Sequence, residues 1–72
     1  MMNDKTLNWF NNEYEKILYS DLSDEQKDVE YKSLMSEMEY EFKVPVLRDE
    51  LWEKDNRAVI ALYRKIAKSR KL

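Results

Sequence analysis

Carboxylates are the commonest side chains in this sequence that could do chemistry. Paired carboxylates can hold a divalent metal or act as a general acid and base. Helix-built di-metal sites, however, pair glutamates with histidines three residues further on, and the 72 residues contain no His. The acids concerned are Asp21, Asp24, Glu25, Asp28, Glu30, Glu37, Glu39 and Glu41. Because they mostly lie off the apolar positions, we predict a solvated acidic face, with a partner-binding or DNA-mimicking surface as the alternative.

The residue types needed for nucleophilic catalysis and for cofactor-binding loops are also missing. The chain has no Cys and no Gly, which excludes thiol catalysis, the usual zinc ligand sets and the glycine loops that bind phosphates or calcium. Its serines have no histidine to act as base. We therefore predict no enzyme activity, no cofactor, no metal and no small-molecule substrate.

Basic residues near the end of the chain recur at helical spacing. Arg57, Arg64, Lys68 and Lys71 are separated by seven, four and three residues, which places them within about 60° on one helix face. Such a face can bind phosphates by releasing counterions, or bind an acidic protein surface. The net charge of −2 argues against nucleic acid as the first choice. A solvated face that complements the helix dipole is the simplest interpretation.

Amphipathic stretches that would position these groups predict an all-α fold. Apolar residues recur with the helical period over residues 4–19, 24–42 and 57–69, and a short helical turn is expected near 48–53. The predicted inward positions are Leu7, Phe10, Tyr14, Ile17 and Leu18, then Tyr31, Leu34, Met35, Met38 and Phe42, then Val59, Ile60, Tyr63, Ile66 and Ala67. We predict a three-helix bundle in which residues 1–72 form one domain.

Local signals mark where these helices begin and end. Asn3 is the predicted cap of the first helix. Ser23 and Gln26 have the spacing of a capping box, so the second helix is expected to start at Asp24. Pro45 disfavours helical backbone in the residue before it and so ends that helix.

Some apolar residues do not lie on the predicted inward face. Val29, Ser33, Ser36 and Tyr40 form a second strip about 180° from the first face of their helix. This strip either contacts a further helix of the same chain or belongs to a binding surface. Tyr and Trp anchor many protein interfaces, and the predicted partner-binding residues are Trp9, Tyr19, Val29, Tyr40 and Trp52.

The overall composition indicates where the protein acts and on what. No apolar run approaches the roughly 20 residues that span a bilayer, so we predict a cytoplasmic protein without membrane contact. Richness in Lys, Asn, Glu, Tyr and Ile is typical of AT-rich bacterial or phage genomes. We expect a protein–protein interaction module that binds another protein or itself. The alternative is a nucleic-acid-associated regulator that uses the basic face of 57–69 or acidic mimicry from 24–42.

Overall fold

Four α-helices make up most of the described chain. The computed structural model describes residues 5–70, and within them α1 spans Leu7–Leu18, α2 Asp24–Phe42, α3 Glu50–Asp55 and α4 Arg57–Ser69. The all-α prediction is confirmed. The helix count over these residues is four rather than three, because the turn expected near 48–53 is a separate six-residue helix.

The first helix begins later than the sequence predicted. Thr6 is its cap, and the Thr6 hydroxyl accepts a hydrogen bond from the backbone N–H of Trp9 at 3.1 Å. Lys5 and Thr6 are not helical, so the prediction of a helix from Asp4 is wrong. The predicted cap, Asn3, lies outside the described residues. A hydroxyl that satisfies one of the first orphan N–H groups is enough to set the boundary at Leu7.

The second helix has the predicted boundaries and the predicted cap. Ser23 Oγ accepts from the Gln26 N–H at 3.1 Å, and the Gln26 side chain accepts from the Ser23 N–H at 3.2 Å. The helix stops where Lys43 adopts the left-handed conformation, with φ of 56° and ψ of 47°. This conformation costs a non-glycine residue roughly 1 kcal/mol. The turn at Lys43 therefore ends the helix before Pro45 is reached.

The core lies among α1, α2 and α4. The central helix is α2, which contacts both α1 and α4, while α1 also contacts α4 and the short α3 contacts α4 alone. The buried apolar residues are Phe10, Tyr14, Tyr31, Leu34, Met38, Leu62 and Ile66. The inward faces predicted for α1 and α2 supply five of these seven side chains. Burial of these rings and aliphatic chains holds the three helices together.

The inward face of α4 differs from the predicted one. Leu62 is buried, although it was not among the predicted inward residues, and Ala67 is exposed. Leu62 and Ile66 are four residues apart, so both point at the core from adjacent turns. Ile60 lies to the side, where it is half-buried beside α3. Because α3 packs beside α4, the apolar residues of α4 extend beyond the face that contacts the core.

Polar contacts join the helix ends. The Tyr14 hydroxyl and Ser69 Oγ are 2.9 Å apart, which connects α1 to the last turn of α4. Lys27 Nζ donates to the carbonyl of Leu18 at 3.0 Å, so a cation from α2 caps the C-terminal end of α1. Across residues 5–70, none of the helices combines the length and apolar character needed to cross a membrane.

Candidate protein-binding surface

The outward face of α2 is the most exposed apolar helix face near the core. We name Val29, Ser33, Ser36 and Tyr40 the α2 strip; all four are exposed, Val29 by 63% and Tyr40 by 77%. The inner face of the same helix is fully engaged in the core. Although α2 is central, α1 and α4 therefore both pack on its inner side. None of the four residues of the strip belongs to the core.

Charged side chains border the α2 strip. Lys5 Nζ lies 2.7 Å from Glu37 Oε1, beside the two serines. At the other end, the Lys43 ammonium lies 4.9 Å from the centre of the Tyr40 ring. A cation above an exposed aromatic ring contributes about 0.5–1 kcal/mol and orients the ring. The strip is thus an apolar and hydroxyl surface with paired charges at its margins.

The other aromatics predicted to bind a partner lie in different surroundings. Trp9 is half-buried and packs edge-on to Phe10, with ring centres 4.9 Å apart. The Lys5 ammonium lies 4.8 Å from the centre of the Trp9 ring. Because Lys5 also pairs with Glu37, Trp9 adjoins the α2 strip. Tyr19 caps the C-terminal end of α1 and is 80% exposed. Trp52 is half-buried on α3, which contacts α4 and not α2. The structure thus brings Trp9 close to the strip and places Trp52 on another helix pair.

A second exposed apolar group was not singled out from the sequence. Val46, Leu47 and Leu51 are 100%, 81% and 77% exposed in the segment between α2 and α4. The available signal was an apolar connector between two charged helices, with Leu47 and Leu51 four residues apart. That spacing predicted a helical turn containing both residues, whereas only Leu51 lies in the short helix and Leu47 precedes it in non-helical backbone. The spacing did not predict that the side chains would face solvent.

The basic face of α4 is shared with α3. Arg64 Nη2 donates to Glu53 Oε1 at 2.8 Å, and Arg48 Nε lies 3.6 Å from the other oxygen of the same carboxylate. Arg57 and Lys68 are exposed on either side of this pair along α4. Lys71 lies outside the described residues. The stripe predicted from the sequence is therefore interrupted at Arg64 by an acidic side chain of the protein itself.

One of the acids expected to be solvated is instead buried. Asp28 is 7% exposed, and Arg70 at the end of α4 binds both of its oxygens, Nε to Oδ1 at 2.8 Å and Nη2 to Oδ2 at 3.3 Å. These hydrogen bonds raise the pKa of Arg70 above its ordinary value. The prediction of a solvated acid is wrong for Asp28, because the C-terminal end of α4 reaches across to α2 at this point. The contact joins the C-terminal end of α4 to α2.

A second contact between α4 and the outer side of α2 involves a tyrosine. The Tyr63 hydroxyl donates a short hydrogen bond to Glu39 Oε2. Burial, and then this hydrogen bond, favour the neutral phenol and raise the pKa of Tyr63 from 10 to about 12. The pair holds Glu39 at the edge of the α2 strip.

Stability is therefore expected to fall in alkaline solution because of Tyr63. Below pH 10 the phenol is neutral in both the folded and the unfolded chain, so its contribution is fully present. Between pH 10 and about 12 the unfolded chain releases the proton more readily, and folding loses stability. Since solvent screens this half-buried pair, we expect the loss to be about 1 kcal/mol.

Urea unfolding measured at intervals from pH 9 to 12 tests this expectation. Tyr63→Phe removes the phenol and should flatten that part of the profile, whereas Tyr19→Phe, at an exposed position, should keep the wild-type slope. Identical slopes for wild type and Tyr63→Phe would show that Tyr63 does not cause the alkaline loss of stability.

The structure is that of a small all-α chain with an exposed strip on its central helix. In comparisons with protein-family models, curated proteins and solved structures, nothing matches this chain.

Proposed function

We propose that this chain is a protein–protein interaction module that binds its partner through the α2 strip. One observation carries the proposal: two large apolar side chains, Val29 and Tyr40, are 63% and 77% exposed at the two ends of one face of α2. Burying them against a partner gains hydrophobic free energy, and a tyrosine is among the residues that most often dominate such binding.

Small size adds support to this proposal. A core of this extent usually supplies only about 3–5 kcal/mol of net stability, and the chain has no disulfide or histidine-based metal site to add to it. A partner that binds only the folded chain stabilises it by mass action. The proposal includes a cytoplasmic, non-enzymatic role in a bacterium or phage, as expected from the composition.

The alternative, direct nucleic-acid binding by α4, has less support. Arg64 lies at the centre of the basic face and is hydrogen-bonded to Glu53. A phosphate would have to displace this carboxylate, which weakens any gain from counterion release. Acidic mimicry by α2 is likewise weakened, because Asp28 is buried against Arg70.

Matched tyrosine substitutions test the proposal. Tyr40→Ser removes the anchor of the strip, and Tyr19→Ser removes an equally exposed tyrosine, 80% against 77%, at the end of α1. Proteins captured from the native host at physiological salt are identified and purified, and their affinities are then measured by calorimetry. Loss of a tyrosine that anchors an interface costs about 2 kcal/mol or more, so we expect Tyr40→Ser to weaken binding about 30-fold.

Tyr19→Ser serves as the control for Tyr40→Ser. Tyr19→Ser is expected to bind like wild type, and circular dichroism is expected to show both variants folded, because both positions are exposed. Equal affinity of the Tyr40→Ser and wild-type chains for every identified partner would show that the strip is not the binding surface.

A further inference from the structure

We infer that the occupant of the α2 strip is a second copy of this chain, packed antiparallel about a two-fold axis. The inference deepens the proposed function and rests on it. Two features carry it: the spacing of the strip, and the order of charges along one side of it.

The strip has the same spacing in both directions. Its members are four, three and four residues apart, which is the spacing of a coiled-coil seam. The midpoint lies between Leu34 and Met35. A two-fold axis at this point brings Val29 opposite Tyr40 of the partner subunit and Ser33 opposite Ser36 of the partner subunit. A two-fold interface requires this reciprocity, because the same surface must bind itself.

Large side chains therefore meet at the ends of the pair and small ones at its centre. Each Val29 packs against the partner's Tyr40, which buries the two most exposed apolar side chains of α2 at once. The serines at the axis let the two helix backbones approach closely and can exchange hydrogen bonds. A helix with a bulky side chain at the midpoint would hold the apolar ends apart.

Charges along one side of the strip are complementary in the same arrangement. The order along this side is Glu25, Lys32, Glu39 and Lys43, all exposed. In an antiparallel pair related by a two-fold axis, this side of one helix lies beside the same side of the other. Lys32 then falls within roughly 3 Å, along the helix axis, of the partner's Glu39. Glu25, in the first turn of α2, lies beside the C-terminal end of the partner's α2, where the partner's Lys43 follows the last helical residue.

Two observations in the structure agree with this register. The Lys43 ammonium lies over the Tyr40 ring, which is the end of the strip that the partner's Glu25 approaches. On the opposite side, Glu37 would face the partner's Glu30, but Lys5 pairs with Glu37 at 2.7 Å and offsets that repulsion. Opposite charges thus meet on one side, and like charges are neutralised on the other.

Sedimentation equilibrium of the full chain tests the inference. The concentrations run from about 10 µM to 1 mM, because a single helix pair buries less surface area than a standard interface and therefore binds weakly. The expected result is a rise in mass from 8.8 kDa toward twice that value. Ser36→Lys places two ammonium groups beside the axis and is expected to weaken association at least tenfold. Ala67→Lys, at an exposed position of α4, is the matched control and is expected to leave it unchanged.

Charge reversal tests the antiparallel register. Glu25→Lys and Lys43→Glu each create two like-charge contacts and are expected to weaken association about fivefold. The double variant Glu25→Lys/Lys43→Glu restores opposite charges and is expected to regain the wild-type affinity. If the single substitutions weakened association by damaging the ends of α2, the double variant would combine both losses. Recovery of the wild-type affinity therefore shows that the two side chains contact each other across the interface.

The contrary outcomes are distinct. A monomer up to 1 mM, or a dimer that Ser36→Lys does not weaken, overturns self-association through the strip. A dimer weakened by Ser36→Lys but not restored by the double reversal overturns the antiparallel register. If the chain stays monomeric while Tyr40→Ser still loses an identified partner, the second-copy inference fails and the interaction module stands. If neither self-association nor any partner responds to Tyr40→Ser, both fail.

Discussion

Replacing Phe10 by alanine is expected to leave the chain largely unfolded at 25 °C. The Phe10 ring is 0% exposed and contacts the rings of Trp9 and Phe42, at centre-to-centre distances of 4.9 and 5.4 Å. Removing a fully buried phenylalanine ring costs about 3–5 kcal/mol, because apolar burial is lost and a cavity remains. That equals the whole stability of about 3–5 kcal/mol expected for so small a core.

Phe42→Ala is the matched comparison for Phe10→Ala. Phe42 belongs to the same ring pair but is only half-buried, so water can fill part of the space that its ring leaves. Circular dichroism during urea titration is expected to show a cooperative transition for Phe42→Ala, and for the milder Phe10→Leu, but little or none for Phe10→Ala. Equal stability of Phe10→Ala and Phe42→Ala would show that the core is not centred on Phe10.

The limits of α2 could be predicted because local contacts set them. The capping box joins residues three positions apart, and both of its hydrogen bonds are present. The start of α1 was harder to predict, because Asn3 and Thr6 are both good caps and either can precede the apolar stripe. Choosing between them depends on where Leu7 meets α4 and Phe10 meets α2, which the local sequence does not specify.

Contacts between distant residues account for the rest of the differences. Leu62 is buried because it faces the core beside Leu7 of α1, and nothing in the periodicity of α4 reveals that neighbour. Asp28 and Arg70 are 42 residues apart. Asp28 lies off the apolar stripe of α2 and has the spacing of a solvated acid, so its burial follows only from the position of the helix end opposite it.

For the candidate binding surface, periodicity predicted the position of the strip on the helix but not its surroundings. Val29 and Tyr40 lie on the face opposite Tyr31, Leu34 and Met38, as their spacing predicts. Which helices would cover that face depends on the packing of the whole chain. Trp9 shows the same limit: it lies off the apolar stripe of α1, yet it is half-buried because its ring packs edge-on to Phe10.

The pairing of Asp28 with Arg70 leads to the other large expected effect. Arg70→Ala withdraws two hydrogen bonds and a positive charge from a carboxylate whose side chain is only 10% exposed. Removing one partner of a buried ion pair is strongly destabilising, because the remaining charge stays poorly solvated. We therefore expect Arg70→Ala to lower the midpoint of urea unfolding sharply, and Arg70→Lys to recover part of it, since a lysine restores the charge but not the two-point geometry.

Arg64→Ala supplies the comparison on the same helix. Arg64 also pairs with a carboxylate, but its side chain is 48% exposed and Glu53 keeps a second cation, Arg48, when Arg64 is removed. The Glu53 side chain is itself only 15% exposed, but because Arg48 still balances its charge and Arg64 is half-exposed, we expect the loss of Arg64 to cost about 1 kcal/mol or less. The loss from Arg70→Ala is thus expected to be several times that from Arg64→Ala under the same conditions. Equal losses would mean that the end of α4 does not hold Asp28 away from water.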